Sequence, residues 1–172
     1  MDIFALQALL GAMNGAPILV VGDVMLDRFI YGGVSRVSAE APVPVLAHAR
    51  ESVMPGAAGN VARNIAALGG TPLLVGLTGD DEAGFQVRKL MNEALAEHVV
   101  VDGSRPTTIK TRFVSDGQQL LRVDRESVEP AEGEIEATLA AQIAVAARGA
   151  RAILVSDYGK GVVTPAIMAA CH

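Results

Sequence analysis

The stretch Pro17-Ile18-Leu19-Val20-Val21-Gly22-Asp23-Val24-Met25-Leu26-Asp27 decides the fold. Its first six residues form an unbroken apolar run closed by glycine. That is the pattern of a strand buried on both faces of a parallel sheet; a half-exposed strand would alternate. Similar short apolar runs return at Thr71 to Leu77, Val99 to Val101 and Ala152 to Ser156. Helical patterns lie between them. Val61, Ile65 and Leu68 recur at helical spacing from Ala57 onward, and Gly69-Gly70 supplies the stop. Asp80 or Asp81 caps a helix expected to run to about Glu97, a further helix is expected from about Ala131 to Ala147, and Thr164-Pro165 opens a last one. Alternating strands and helices imply an α/β fold with a doubly wound parallel sheet and right-handed crossovers.

Two segments do not fit that rhythm. Residues 34–50 alternate loosely between polar and apolar side chains and contain Pro42 and Pro44, as edge strands outside a main sheet do. Residues 107–124 read as a hairpin with Asp116-Gly117 at the turn. Together they predict a small β-rich lid made of two separated segments. At the start, Ile3, Phe4, Leu6, Leu9, Leu10 and Met13 share a helical spacing that predicts a capping helix. At the end, Ala169-Ala170-Cys171-His172 breaks off a helical pattern without a stop signal, and we expect more chain beyond it.

Composition narrows the function. The 172 residues carry 14 Lys+Arg against 19 Asp+Glu, a net charge of −5, so no broad positive field attracts nucleic acid or an anionic membrane. With no Trp, 2 Tyr and 4 Phe, the stacking platforms of single-strand binders are missing too. No run of 18 uncharged apolar residues occurs, since Arg148 and Arg151 interrupt the most apolar later stretch, so no membrane span is expected. The lone Cys171 allows no intramolecular disulfide, which suits a cytoplasmic protein. His48, His98 and His172 have no ligand-like spacing with one another or with Cys171, and no metal site is expected.

Open α/β sheets bind ligands beyond the carboxyl ends of their strands, which brings Asp23 and Asp27 near one crevice. Either carboxylate could instead simply start a turn. A dinucleotide fingerprint is excluded, because Gly22 stands alone until Gly32. Pro55-Gly56-Ala57-Ala58-Gly59-Asn60, directly before a helix, offers backbone N–H groups and an amide to sugar hydroxyls or a phosphate, or only permits close packing. Lys110, Arg112, Arg122 and Lys160 are the cations available for an anion; each could equally be a solvated surface charge.

Counted from Asn60, Ala62, Gly69 and Gly79 follow at offsets that, with the glycine-rich turn, resemble the N-terminal signature of the ribokinase-like carbohydrate kinases. Further segments strengthen the resemblance: 20–28, 35–45, 60–69, 118–124 and 156–161, the last reading Ser156-Asp157-Tyr158-Gly159-Lys160-Gly161. They are most similar to the heptose 7-phosphate kinases within that group, over about residues 17–165. One departure stands out: the family usually has two adjacent glycines in the turn, whereas here Gly56 is followed by Ala57 and the next glycine is Gly59.

The resemblance implies an ATP- and Mg²⁺-dependent kinase that phosphorylates the anomeric hydroxyl of D-glycero-β-D-manno-heptose 7-phosphate, in precursor synthesis for the lipopolysaccharide core. It implies that Asp27, Gly56 and Asn60 hold the sugar, and that Lys110, Arg112, Arg122 and above all Lys160 are candidates for its phosphate. The family's catalytic base lies in a Gly-x-Gly-Asp motif beside the nucleotide site. That motif is not among these 172 residues, so the chain is expected to be the sugar-binding part of one kinase domain, inactive alone. Related kinases dimerise through clasped lids, and Val34, Val37, Val43, Val45, Ile109, Phe113, Leu120 and Val123 give this lid apolar surface to do so. The alternatives are another ribokinase-like sugar kinase and a non-catalytic sugar-binding module.

Overall fold

A computed structural model describes residues 2–172. Strand β1 (Pro17–Gly22) is the centre of the expected parallel sheet. It pairs on one side with β4 (Thr71–Gly79) and on the other with β8 (Ala152–Ser156), and β4 pairs in turn with β5 (Val99–Asp102), all parallel. Because alternate side chains of β1 point to opposite faces, its apolar run feeds two separate cores. Val20 joins Leu74, Ala62, Ile65, Val87 and Met91 beneath helices α2 (Ala58–Ala67) and α3 (Glu82–Met91). Leu19 and Val21 join Val75, Leu139, Ile143 and Ile167 beneath α5 (Gly133–Ala146) and α6 (Pro165–Ala170). Helices on both faces make the sheet doubly wound, as the sequence predicts.

The lid is a second sheet, and it is larger than expected. Its order is β3-β2-β6-β7, with β2 (Val24–Val37), β3 (Pro44–Ala57), β6 (Thr108–Ser115) and β7 (Gln118–Arg125). The first segment therefore spans 24–57 and not 34–50. The apolar residues that follow Asp23 continue as a strand because Val24 and Leu26 still pack into the core beside Ile109 and Val53. Strands β2 and β6 run parallel, which joins the two separated hairpins into one sheet. At the β6–β7 turn, Asp116 and Gly117 have φ of 49° and 78°, the two positive values that an Asp-Gly hairpin turn requires.

Two helix expectations change. The helix after Asp81 stops at Met91: Asn92 takes φ 62°, its side chain accepts from Leu95 N, and a short helix α4 (Glu93–Ala96) restarts. Helix α1 (Ile3–Met13) forms, capped by Asp2, but it buries none of its residues, with Ile3 64% and Phe4 76% exposed, so it caps nothing within the described chain.

Candidate functional site

The site grows out of the end of β1. Gly22 lies so close to β8 that a Cβ there would run into the Ser156 carbonyl, which accepts instead from Asp23 N at 3.2 Å. Asp23 itself is 1% exposed. Its Oδ2 accepts from Tyr158 N at 2.7 Å and Lys160 N at 3.2 Å, and its Oδ1 from Val162 N at 3.2 Å. Three backbone donors make a buried carboxylate tolerable, and in return Asp23 shapes the 157–162 loop and sets where Lys160 begins. Asp23 is therefore a scaffold for the site.

Asp27 stands in mid-strand on β2, so the turn-forming alternative does not hold for it. Alternation places Met25, Asp27 and Phe29 on one face of the lid together with Gly56, Lys110, Arg112, Arg122 and Asp124, through direct cross-strand pairs. Gly56 opposes Met25 in the ladder, and a Cβ on it would fall 2.5 Å from Asp27 Oδ2. Only glycine leaves that carboxylate its place. The next residue, Ala57, has φ 48° and ψ −123°, a backbone that favours glycine, which gives a physical reason for the usual second glycine of this turn. Asn60 is exposed on the first turn of α2, past the Gly56-Ala57 bend.

All four candidate cations are ion-paired. Arg112 Nη1 donates to Asp27 Oδ1 at 2.6 Å and also sits 5.1 Å over the Phe29 ring. Lys110 Nζ donates to Asp124 Oδ2 at 3.0 Å and to Glu126 Oε2 at 3.3 Å. Lys160 Nζ reaches Glu126 Oε1 at 3.0 Å, and Arg122 Nε lies 3.0 Å from Asp124 Oδ1. Arg112 and Arg122 oppose each other directly across β6 and β7, a like-charge pair that Asp27 and Asp124 relieve. The hydrogen bond from Lys160, joined by that from Lys110, outweighs burial and holds the Glu126 carboxyl below its ordinary range. Burial opposes ionisation of Asp124, but Lys110 and Arg122 overcome it and its value is lowered too.

The lid is bolted to the core by Asp81. Its Oδ1 accepts from Gly84 N, capping α3, and from the Thr107 hydroxyl; its Oδ2 accepts from Thr107 N, just before β6 begins. Those hydrogen bonds, with the Arg125 charge, outweigh burial and lower the Asp81 carboxyl. Thr107, Asp23, Gly79, Ser127 and Lys160 line a small cavity at the carboxyl ends of β1 and β4.

Of the sequence-derived residues, the structure brings Asp27, Gly56, Lys110, Arg112 and Arg122 onto one lid face and Lys160 to its rim, with Asn60 at the head of α2. Glu126 and Asp124 were not singled out as site residues; the signal available was their alternation with Arg122 and Arg125 in β7 and its tail. Ile109, expected on the lid surface, is 9% exposed and belongs to the core. Among the described residues no group of three His, Cys, Asp or Glu side chains could hold a metal ion, and no helix is long and apolar enough to cross a membrane.

A doubly wound parallel sheet carrying a four-stranded lid, with a carboxylate seated against a glycine at the head of a helix, defines the ribokinase-like class of α/β folds. Arabidopsis thaliana ribokinase, solved with ribose and ATP, superposes on 82% of this chain and 45% of its own with a TM-score of 0.55 at 19% identity. Residues 16–172 match the model of the pfkB family of carbohydrate kinases, and the chain belongs to that family. It is 50% identical over 167 residues to the bifunctional protein HldE of Hyphomonas neptunium and 49% identical over 166 residues to that of Caulobacter vibrioides, covering 96% and 95% of this chain. Each match covers 34% of the relative, so the chain spans about a third of the length of the curated relatives it matches.

Proposed function

We propose that this chain is the sugar-binding part of a kinase that transfers the γ-phosphoryl group of ATP to the anomeric hydroxyl of D-glycero-β-D-manno-heptose 7-phosphate, in ADP-heptose and lipopolysaccharide-core precursor synthesis. The observation that carries the reading is the lid face on which Asp27 lies against Gly56 with Lys110 and Arg112 beside it, joined through Glu126 to Lys160 of the core loop. The Asp27 carboxylate and the Asn60 amide can each make paired hydrogen bonds to vicinal hydroxyls. Lys160, with Lys110, Arg112 and Arg122, supplies the charge for the sugar's own phosphate. The closeness to HldE proteins supports a heptose substrate.

In this reading the nucleotide, its Mg²⁺ and the catalytic base belong to chain beyond residue 172. Residues 1–172 bind and orient the sugar, and the lid keeps water from it. The protein works in the cytoplasm as a homodimer. On the opposite face of the lid Phe113 and Leu121 are direct cross-strand neighbours and, with Leu46, line an apolar groove that a second copy would cover.

The test is a phosphorylation screen of the complete protein over heptose 7-phosphate, fructose 6-phosphate, ribose and gluconate derivatives. Heptose 7-phosphate is expected to have the highest kcat/KM. Preference for another sugar moves the assignment to a different ribokinase-like kinase, and binding without phosphoryl transfer moves it to a sugar-binding module.

A further inference from the structure

Each cation offered to the substrate's phosphate already has a carboxylate, and those carboxylates are not equivalent. Asp27, Lys110 and Asp124 are direct partners across β2, β6 and β7, so their contacts travel with the lid as one sheet. Glu126 lies one residue past the end of β7, outside the ladder. Its two oxygens divide between Lys110 of the lid and Lys160 of the core loop, at 3.3 and 3.0 Å. The side chain is 27% exposed, open to exchange with a solute.

The chain behind it is pinned: Arg105 donates to the carbonyls of Glu129 and Pro130 at 3.0 and 3.2 Å, and Ala131 N donates to Gly161 O at 2.7 Å. Residues 126–128 connect that anchor to the end of β7 outside any strand or helix, with the Ser127 hydroxyl accepting from Glu129 N at 3.3 Å. Two ammonium groups gripping one carboxylate present the donors that a phosphate oxyanion would take in its stead. Charge points the same way. Lys110, Lys160 and Arg122 share two carboxylates, Asp124 and Glu126, so the cluster carries one excess positive charge. A phosphate monoester carrying about −1.5 to −2 gains most where it takes over the ammonium donors that Glu126 holds.

We propose that in the unliganded protein Glu126 holds the place of the substrate's phosphate, latching lid to core, and that the phosphate of an incoming sugar displaces it from Lys110 and Lys160. A sugar without phosphate has no anion to exchange and leaves Glu126 on both lysines. This rests on the reading that Lys160 receives the phosphate.

The experiment is calorimetric titration of the complete protein, wild type, Glu126→Gln and Lys160→Ala, with heptose 7-phosphate, with unphosphorylated heptose, and with inorganic phosphate as a probe that assumes no sugar. Glu126→Gln should bind the two phosphate-bearing ligands about five- to twentyfold more tightly, as expected for removing a partly exposed competing charge, with unphosphorylated heptose unchanged. Equal or weaker phosphate binding by a folded Glu126→Gln overturns the latch. If Lys160→Ala still loses the preference for phosphorylated sugar in that case, the phosphate reading survives without it. If Lys160→Ala keeps the preference, the phosphate reading falls and the latch falls with it. A crystal structure of the wild-type protein with heptose 7-phosphate provides a readout that needs no variant: Glu126 should have left both lysines, and a carboxylate still bonded to both refutes the displacement.

Discussion

Replacing Gly56 with alanine tests the site through a single methyl group. Gly56 lies in regular strand with no positive φ, so the backbone accepts alanine and any cost is steric. The added Cβ would fall 2.5 Å from Asp27 Oδ2, 2.9 Å from Asp27 Cγ and 2.8 Å from Met25 Cγ. Asp27 has to turn away, which forfeits its 2.6 Å hydrogen bond from Arg112, a partly exposed charge-assisted contact worth about 1–2 kcal/mol. Met25 is 2% exposed and can move only off its rotamer, at about 1 kcal/mol more. Gly56→Ala in the complete protein should therefore lose about 2–3 kcal/mol of stability in urea titration. Its kcat/KM for the sugar should fall roughly ten- to a hundredfold, with the KM for ATP unchanged. Because most of the effect passes through Asp27, the same substitution in an Asp27→Ala background should cost less than half as much in both assays. Additive effects, or unaltered sugar kinetics in a folded Gly56→Ala, would refute the argument that this glycine exists to seat that carboxylate.

Four further outcomes are expected. Asp27→Asn and Asn60→Ala should each lower kcat/KM for the sugar by roughly ten- to a hundredfold while leaving ATP affinity intact, as steady-state kinetics will show. Lys160→Ala should erase the preference for phosphorylated over unphosphorylated sugar; equal weakening of both would return Lys160 to a structural role. The carboxyls of Asp81, Asp102, Asp124 and Glu126 are all lowered, so their stabilisation is in full force above the unfolded carboxylate range of about pH 4 and is lost as pH falls through the lower folded values. Urea midpoints should accordingly drop steeply below about pH 4, and Asp81→Asn should flatten that drop. Phe113→Asp with Leu121→Asp, on the apolar lid face, should convert a dimer to a monomer in light scattering at micromolar concentration; a monomeric wild type would remove the dimer from the proposal.

Much of this protein was legible because its signals are local. An apolar run closed by glycine at 17–22 can be satisfied only by burial on both faces, so it predicts a central parallel strand without any knowledge of its partners. Asp116-Gly117 dictates a hairpin by its φ preferences, Gly69-Gly70 ends a helix, and Asp81 and Thr164 cap the helices that follow them. The glycine-rich turn with its succession of spaced motifs was enough to point to the carbohydrate kinase family. What could not be read was register and charge pairing. Nothing local says that β2 begins at Val24, for its start depends on Leu26 finding Ile109 and Val53 in the core. Asp23 and Asp27 look alike in sequence, four residues apart in one stretch. Tertiary structure gave one of them three backbone donors from a loop 135 to 139 positions away and the other an arginine 85 positions away, making the first a buried scaffold and leaving the second in an ion pair on the lid face. Patterns of burial and turn propensity belong to a segment and travel with it, whereas an ion pair exists only where two distant segments are brought within a few ångströms. The sequence by itself therefore determined the α/β class and the family, and only the folded chain decided which carboxylate each cation meets.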